Sequence, residues 1–186
     1  MAERAEIRVT VFGATDVGQV REHNEDNLLV ADLTAGERLG SGDTLSRELG
    51  PRGFLAAVAD GMGGAASGEL ASEMAVDIVH ESAAARDIDE GADIATVATA
   101  LDECVTEANT RIFDKSQAES EHRGMGTTMT SAWVLGNEIA IAQVGDSRGY
   151  LLRKGKLVQV TKDQSLIEQL IQDGTLTEEE AERLGG

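Results

Sequence analysis

Short segments with strand patterns open the chain. Residues 7–12 alternate between aliphatic and mostly polar side chains, which is the period-two pattern of a strand. The runs Asn27–Asp32 and Gly53–Ala59 are short and largely apolar, and they predict two further strands, the second of them buried. Residues 34–51 are polar and rich in glycine and include the single proline, so we expect a surface loop there.

Two helices are predicted after the buried strand. In the first, Ser67 is placed to cap the N-terminus, and apolar residues recur at helical spacing over 70–79. The second is expected to begin near Asp89, and its apolar stripe covers residues 94–112. Each helix therefore has one face suited to packing against a sheet.

The second half of the chain returns to strands and ends with helical patterns. The predicted strands are Thr127–Leu135, Glu138–Val144, Gly149–Arg153 and Lys156–Val160. A short helix is predicted over Leu166–Ile171, and Thr177 with Glu180 forms a capping box for another. Strands, a helix pair, strands and helices in this order favour the α+β class over an alternating parallel sheet.

Composition narrows the possible partners. The 186 residues fit one domain, 1–186, and 16 Lys+Arg against 34 Asp+Glu give a net charge of −18. Such acidity argues against nucleic acid and an anionic membrane surface as partners, and it suits a protein that binds divalent cations. The single cysteine, Cys104, excludes an internal disulfide framework. The sequence predicts neither a membrane span nor a signal peptide, so we expect a cytoplasmic monomer.

Arginine and acidic residues are concentrated in the segment 21–27, REHNEDN, just before a predicted strand. Acidic residues in a loop are commonly a solvated surface. The alternative is a guanidinium, that of Arg21, that binds phosphate oxygens with two donors, next to Glu25 and Asp26 carboxylates that order water.

Two more aspartates follow apolar strands. Asp60 and Gly61 come after the buried run, and Asp146 comes after the strand that ends at Val144. Asp-Gly is a common turn pair, so a plain turn is one interpretation of Asp60. The other is a site for Mg²⁺ or Mn²⁺, which prefer carboxylate and water oxygens.

Taken together, the motifs resemble those of the bacterial PPM (PP2C) family of metal-dependent serine/threonine phosphatases. The matching segments are Arg21 with Glu25 and Asp26, DGMGG at 60–64, GMGTT at 124–128, GDSR at 145–148 and TKDQSL at 161–166, with Gln164 where many relatives have histidine. The resemblance runs from about Ile7 to the end of the chain. It implies a β-sandwich of two antiparallel sheets flanked by helix pairs (αββα).

The resemblance also implies roles for the metal ligands. Asp60 is expected to bridge two Mn²⁺ or Mg²⁺ ions, the Gly61 carbonyl to bind one of them, and Asp146 to bind a third, weaker ion. A hydroxide held between the two ions would then attack phosphorus directly.

The other implied roles concern phosphate and water. Arg21 is expected to bind the substrate phosphate, and Glu25 and Asp26 to hold metal-bound water. The implied activity is hydrolysis of phosphoserine and phosphothreonine in proteins, opposed by a Ser/Thr kinase.

The sequence departs from the family pattern at its end. Two further metal-binding aspartates that the family carries in Asp-Gly and Asp-Asn motifs are absent, so we expect a domain that lacks its last strands. Residues 1–186 alone are then expected to bind Mn²⁺ weakly and to turn over little substrate. The alternative is a catalytically silent module that binds phosphoproteins. An unrelated calcium-binding protein is disfavoured because no EF-hand loop pattern is present.

Overall fold

The computed structural model describes residues 7–88, 91–164 and 177. Within these residues the strands are β1 (Arg8–Phe12), β2 (Asp26–Asp32), β3 (Glu37–Arg38), β4 (Thr44–Glu48), β5 (Phe54–Met62), β6 (Gly126–Thr127), β7 (Met129–Leu135), β8 (Glu138–Val144), β9 (Tyr150–Arg153) and β10 (Lys156–Gln159). The α-helices are α1 (Ala65–Ala85) and α2 (Ile94–Ala118), and a 3₁₀ turn follows at Ser120–His122.

The described strands form one large and two small antiparallel sheets. The large sheet has the order β3-β2-β5-β7-β8, and β6 pairs with the end of β5. The strand pairs β1-β4 and β9-β10 each form a two-stranded sheet. The prediction of an α+β fold with antiparallel sheets and a helix pair is therefore confirmed.

One face of the large sheet is covered by the two helices. Side chains from alternate strand positions, such as Leu29, Leu55 and Trp133, are fully buried against α1 and α2. Val79 of α1 and Leu101 of α2 are buried in the same cluster. Because each such side chain contributes roughly 1.5–3 kcal/mol on burial, this helix-covered face, which contains most of the described buried hydrophobic side chains, is the main apolar contribution to stability in the described residues.

The opposite face of the large sheet is also apolar, and we call it the open face. Val58, Ile139 and Ile141 point to this side and are 42–52% exposed. The open face and residues of β1 and β9 line a groove of about 470 Å³. Both faces of the large sheet thus carry apolar side chains, but the helices bury one face and the other lines a groove.

The predicted loop at 34–51 is only partly correct, because β3 and β4 lie within it. β4 pairs with β1 over its whole length, with Leu45 opposite Val11. Strands β3 and β4 are almost entirely polar, so they lack the alternation of apolar and polar residues that indicates a strand in the sequence. Their pairing depends on backbone hydrogen bonds, which any residue except proline can donate.

Both predicted helix starts are wrong. Helix α1 has Gly64 as its N-cap, and Ser67 lies in the first turn, where its hydroxyl donates to the Glu121 carbonyl at 3.3 Å. Helix α2 begins at Ile94, because the Asp93 side chain accepts from the Thr96 amide at 2.8 Å and caps the helix there. The helices predicted over 166–171 and after Thr177 lie outside the described residues.

Candidate metal centre

The sequence predicted that Asp60 follows the end of a strand. In the structure, Asp60 lies inside strand β5. Strand β5 continues to Met62, which places Asp60 directly opposite Asp26 of β2. Opposed side chains in antiparallel strands have Cβ atoms about 4.5–5.5 Å apart. Both aspartates are on the open face, one step beyond the apolar pair of Leu28 and Val58. The surface of this face thus changes from apolar to acidic within one step.

The Asp60 carboxyl is in an environment that disfavours its charge. Loss of hydration, then the neighbouring Asp26 and Asp146 carboxyls, raise the pKa of Asp60 above its ordinary value, while Arg21 acts in the opposite direction. The Asp60 carboxyl is therefore subject to the charges of two other carboxyls and one guanidinium. A divalent cation placed there would relieve the repulsion between the carboxylates.

The turn after β8 brings Asp146 to this point. Gln164 makes two hydrogen bonds to the turn. Its side-chain oxygen accepts from the Gly145 backbone amide at 3.2 Å, and its backbone amide donates to the Gly145 carbonyl at 2.9 Å. The Gln143 side chain donates to the same carbonyl at 3.0 Å. Hydrogen bonds, not apolar packing, hold this side of the site.

Arg21 and Glu25 lie together at the opening of the site. The Arg21 guanidinium is 77% exposed and lies 3.8 Å from a Glu25 carboxylate oxygen, whereas the Glu25 side chain is only 17% exposed. An exposed guanidinium with one carboxylate at this distance can still bind an incoming anion with two donors.

Two glycines let strand β5 and helix α1 approach each other closely. A Cβ on Gly61 would lie 2.0 Å from the Gly68 carbonyl oxygen, and a Cβ on Gly68 would lie 2.0 Å from a Glu25 carboxylate oxygen. The Gly61 amide donates to the Glu25 carbonyl at 3.1 Å, and the buried Ser72 hydroxyl donates to the same carbonyl at 2.5 Å. Glu25 is thus held by its backbone while its side chain lies over the start of α1.

The structure therefore brings all the side chains predicted from the sequence into one region: Arg21, Glu25, Asp26, Asp60 and Asp146, with Gly61 adjacent. Their roles toward metal and phosphate stay predictions. Sequence reasoning missed Ser72 and Gln143, which support the site through hydrogen bonds. Thr128 lies within the GMGTT motif at 124–128, but the motif does not predict a role for it.

A second set of possible metal ligands lies at the end of α2. Ligand atoms of Glu119, Glu121 and His122 lie within 4.8 Å of one another. Lys115 already donates to Glu119 at 2.8 Å, and the His122 ring is 3.4 Å from Glu119. Ion pairing accounts for this group without a metal.

Comparison with known proteins assigns the chain to a family. A model of the protein phosphatase 2C family matches residues 40–182. The chain belongs to this family. It is 36% identical over 167 residues to the serine/threonine protein phosphatase PstP of Mycobacterium tuberculosis, covering 90% of this chain and 27% of PstP. It is 37% identical over 171 residues to the serine/threonine phosphatase stp of Listeria monocytogenes, covering 90% of this chain and 59% of that protein.

A solved relative contains metal. The crystal structure of the PstP catalytic domain in complex with two manganese ions matches with a TM-score of 0.62 and 32% identity, covering 94% of this chain and 63% of that one. The chain thus spans less than two thirds of the length of these phosphatases.

Among the described residues, neither helix has the combination of length and apolar character that a bilayer crossing requires.

Proposed function

We propose that this chain is the metal- and phosphate-binding part of a protein phosphatase that hydrolyses phosphoserine and phosphothreonine in proteins. The observation that carries the proposal is the meeting of Asp26, Asp60 and Asp146 beside Arg21, with Asp60 raised in pKa by lost hydration and by the other two carboxyls. Family membership and the serine/threonine phosphatase names of the relatives support the same assignment.

The donor set fits Mn²⁺ or Mg²⁺. Both ions prefer carboxylate and water oxygens, and the described part of the site offers these and no thiolate. Asp60 would hold two ions with help from the Gly61 carbonyl, and Asp146 would hold a third. Bound cations would supply positive charge for the phosphoryl oxygens and would acidify a water molecule.

The chain's own residues would then orient the substrate and water. Arg21, exposed and planar, would bind two phosphoryl oxygens and offset the charge that builds up as the bond to the serine or threonine oxygen breaks. Glu25 and Asp26 would accept hydrogen bonds from water and fix its direction of approach. We include in the proposal a single domain over 1–186 and phosphoproteins made by a Ser/Thr kinase as substrates.

Metal binding and turnover test the proposal separately. Mn²⁺ binding is measured by calorimetry and phosphate release with a phosphothreonine peptide, for the unchanged chain, for Asp60→Asn and for Asp114→Asn, a control on the exposed side of α2. We expect Asp60→Asn to lose Mn²⁺ binding and any Mn²⁺-dependent release, and Asp114→Asn to keep both. Equal Mn²⁺ binding by Asp60→Asn and the unchanged chain would contradict the site assignment.

The same measurements address the silent-module alternative. Because residues 1–186 alone are expected to turn over little substrate, the deciding measurement uses a version extended by the family's Asp-Gly and Asp-Asn motifs. Mn²⁺ binding and phosphopeptide affinity without phosphate release by that version would favour a module that binds phosphoproteins without hydrolysing them.

A further inference from the structure

Thr128 takes an unusual position in the main sheet. Val58 pairs with Thr130, and Gly61 pairs with Thr127, so Asp60 lies opposite Thr128 in the same register. In a regular hydrogen-bonded pair of antiparallel strands, the two residues exchange both backbone N–H···O=C bonds. The regular strand structure is nevertheless interrupted at residue 128, because β6 ends at Thr127 and β7 begins at Met129.

The interruption has a specific cause. The Thr128 amide donates to the Asp60 carbonyl at 2.9 Å, as in a regular pair. The Asp60 amide, however, donates to the Thr128 side-chain hydroxyl at 3.0 Å. A side-chain oxygen thus occupies the place of a backbone carbonyl in the ladder, directly at the aspartate on which the proposed function rests.

The same hydroxyl reaches the other side of the site. Thr128 Oγ1 lies 2.6 Å from Ser147 Oγ, in a hydrogen bond in which either oxygen can donate. Ser147 follows Asp146 directly, and its carbonyl accepts from the Thr130 hydroxyl at 2.6 Å. One hydroxyl therefore joins the backbone of Asp60 to the turn that contains Asp146.

We propose that Thr128 is a positioning residue that holds Asp60 and the Asp146 turn at a fixed separation, so that both carboxylates can serve one metal centre. The proposal rests on the proposed function for the metals, but the link between Asp60 and Ser147 through the Thr128 hydroxyl is a property of the metal-free chain. Its chemistry requires an oxygen that accepts from an amide and bonds a second hydroxyl. Serine supplies such an oxygen and valine, which has the same shape as threonine, does not.

The first test measures, without metal, how strongly the Thr128 hydroxyl holds the backbone on its two sides. Amide hydrogen exchange is compared among the unchanged chain, Thr128→Val, Thr128→Ser and the control Thr99→Val, which removes an exposed hydroxyl on α2. In Thr128→Val we expect the Asp60 amide and the amides of 145–147 to exchange about tenfold faster, because a hydrogen bond of ordinary net strength is lost. Thr128→Ser and Thr99→Val should match the unchanged chain.

The second test measures metal positioning. By Mn²⁺ calorimetry we expect Thr128→Val to bind about 10- to 100-fold more weakly, as when an outer partner of a metal ligand is removed, and Thr128→Ser to be unaffected. Ser147→Ala should weaken binding in the same direction. The double variant should be no weaker than Thr128→Val alone, because both changes break the same link.

The outcomes separate the two proposals. Thr128→Val that matches Thr128→Ser in both exchange and Mn²⁺ affinity would overturn the positioning role. An unchanged chain that binds no Mn²⁺ would overturn the proposed function, while the exchange measurement would still decide whether Thr128 joins the two segments.

Discussion

The two sides of the candidate site are built in different ways. Asp26 and Asp60 belong to paired strands whose other face is sealed by α1 and α2, where Leu29, Leu55 and Leu101 are fully buried. Asp146 belongs to a turn that leads into the β9-β10 hairpin, where Leu152 is 69% exposed.

The second side depends on polar contacts. Arg148 donates to the Asp163 carboxylate from Nε at 2.8 Å, and Gln159 donates to the same carboxylate at 2.9 Å. The Gly149 amide donates to the Thr161 hydroxyl at 2.9 Å. One side of the site is therefore positioned by buried apolar surface, and the other by directional bonds near solvent. We expect the two sides to respond differently to mutation and to pH.

A matched pair of leucines gives the largest contrast. Leu55→Ala removes a fully buried side chain from the helix-covered face and should lower the free energy of unfolding by about 2–5 kcal/mol. Leu152→Ala on the hairpin should change it by less than about 0.5 kcal/mol. Chemical denaturation of both variants measures the difference. Similar losses in the two variants would show that the hairpin is as well packed as the helix-covered face.

A buried hydroxyl on the helix-covered side gives the next largest effect. The Ser72 hydroxyl is fully buried, donates to the Glu25 carbonyl and accepts from the Asn27 side chain at 2.9 Å. Ser72→Ala should cost about 1–3 kcal/mol, because it leaves those groups short of a partner. Ser82→Ala, which removes a partly exposed hydroxyl elsewhere on α1, is the control and should have little effect. An unchanged unfolding free energy for Ser72→Ala would refute the supporting role.

The charge of Asp60 should cost the metal-free chain some stability. Because the folded-state pKa is raised, the protonated form is favoured on folding, and stability falls as pH rises through the interval between the unfolded and folded pKa values. Asp60→Asn removes that penalty. For an exposed group the gain is small, so we expect the melting temperature in EDTA to rise by about 1–3 °C at pH 7 and less at pH 4.

Mn²⁺ should reverse the order of the two melting temperatures. A ligand stabilises the form that binds it, so excess Mn²⁺ should raise the melting temperature of the unchanged chain and leave Asp60→Asn as it was. If Asp60→Asn melts lower than the unchanged chain in EDTA, the carboxylate stabilises the metal-free fold and the account of repulsion at this point is incorrect.

The hairpin should show the smallest and most local effect, with the opposite dependence on pH. Hydrogen bonding and charge from Arg148 lower the pKa of Asp163, so the stability contributed by ionised Asp163 is present above its unfolded pKa and is lost as pH falls through the lowered folded value. Asp163→Asn should accelerate amide exchange in β9 and β10 by less than about tenfold at neutral pH. Exchange in β5 serves as the internal control and should not change.

Helical periodicity predicted α1 and α2, where Val79 and Leu101 face the core at regular intervals, and a short apolar run predicted the buried strand that contains Leu55. The pattern of apolar residues has limits, however. It missed β3 and β4, whose polar residues pair only through backbone groups. It also ended β5 at Ala59, because Asp60 does not resemble a strand residue. The strand continues because Asp60 pairs with Asp26 of β2, and Gly61 and Met62 pair with β6.

The motifs located the chemistry of the site but not its support. Arg21, Asp60 and Asp146 stand out in the sequence because their side chains are charged and lie beside glycines or strand ends. Ser72 lies in a helix, Gln143 in a strand and Thr128 between two strands, and their importance depends on which atoms face them after folding. No spacing rule in the sequence encodes a bond between residues 128 and 147.

The close approach at Gly61 and Gly68 has a consequence for how variants of this protein would be selected. A methyl group on Gly61 would collide with the Gly68 carbonyl, which cannot move without shifting α1, whereas a methyl group on Gly68 would collide chiefly with the end of the Glu25 side chain and would lie 3.1 Å from the Gly61 backbone. Substitutions at the first position should therefore reduce the amount of folded protein in a cell. Substitutions at the second should leave abundance close to normal and displace Glu25. In a population of random variants, these two glycines, which lie close together in the fold, would thus be retained for different reasons, one for folding and one for the site.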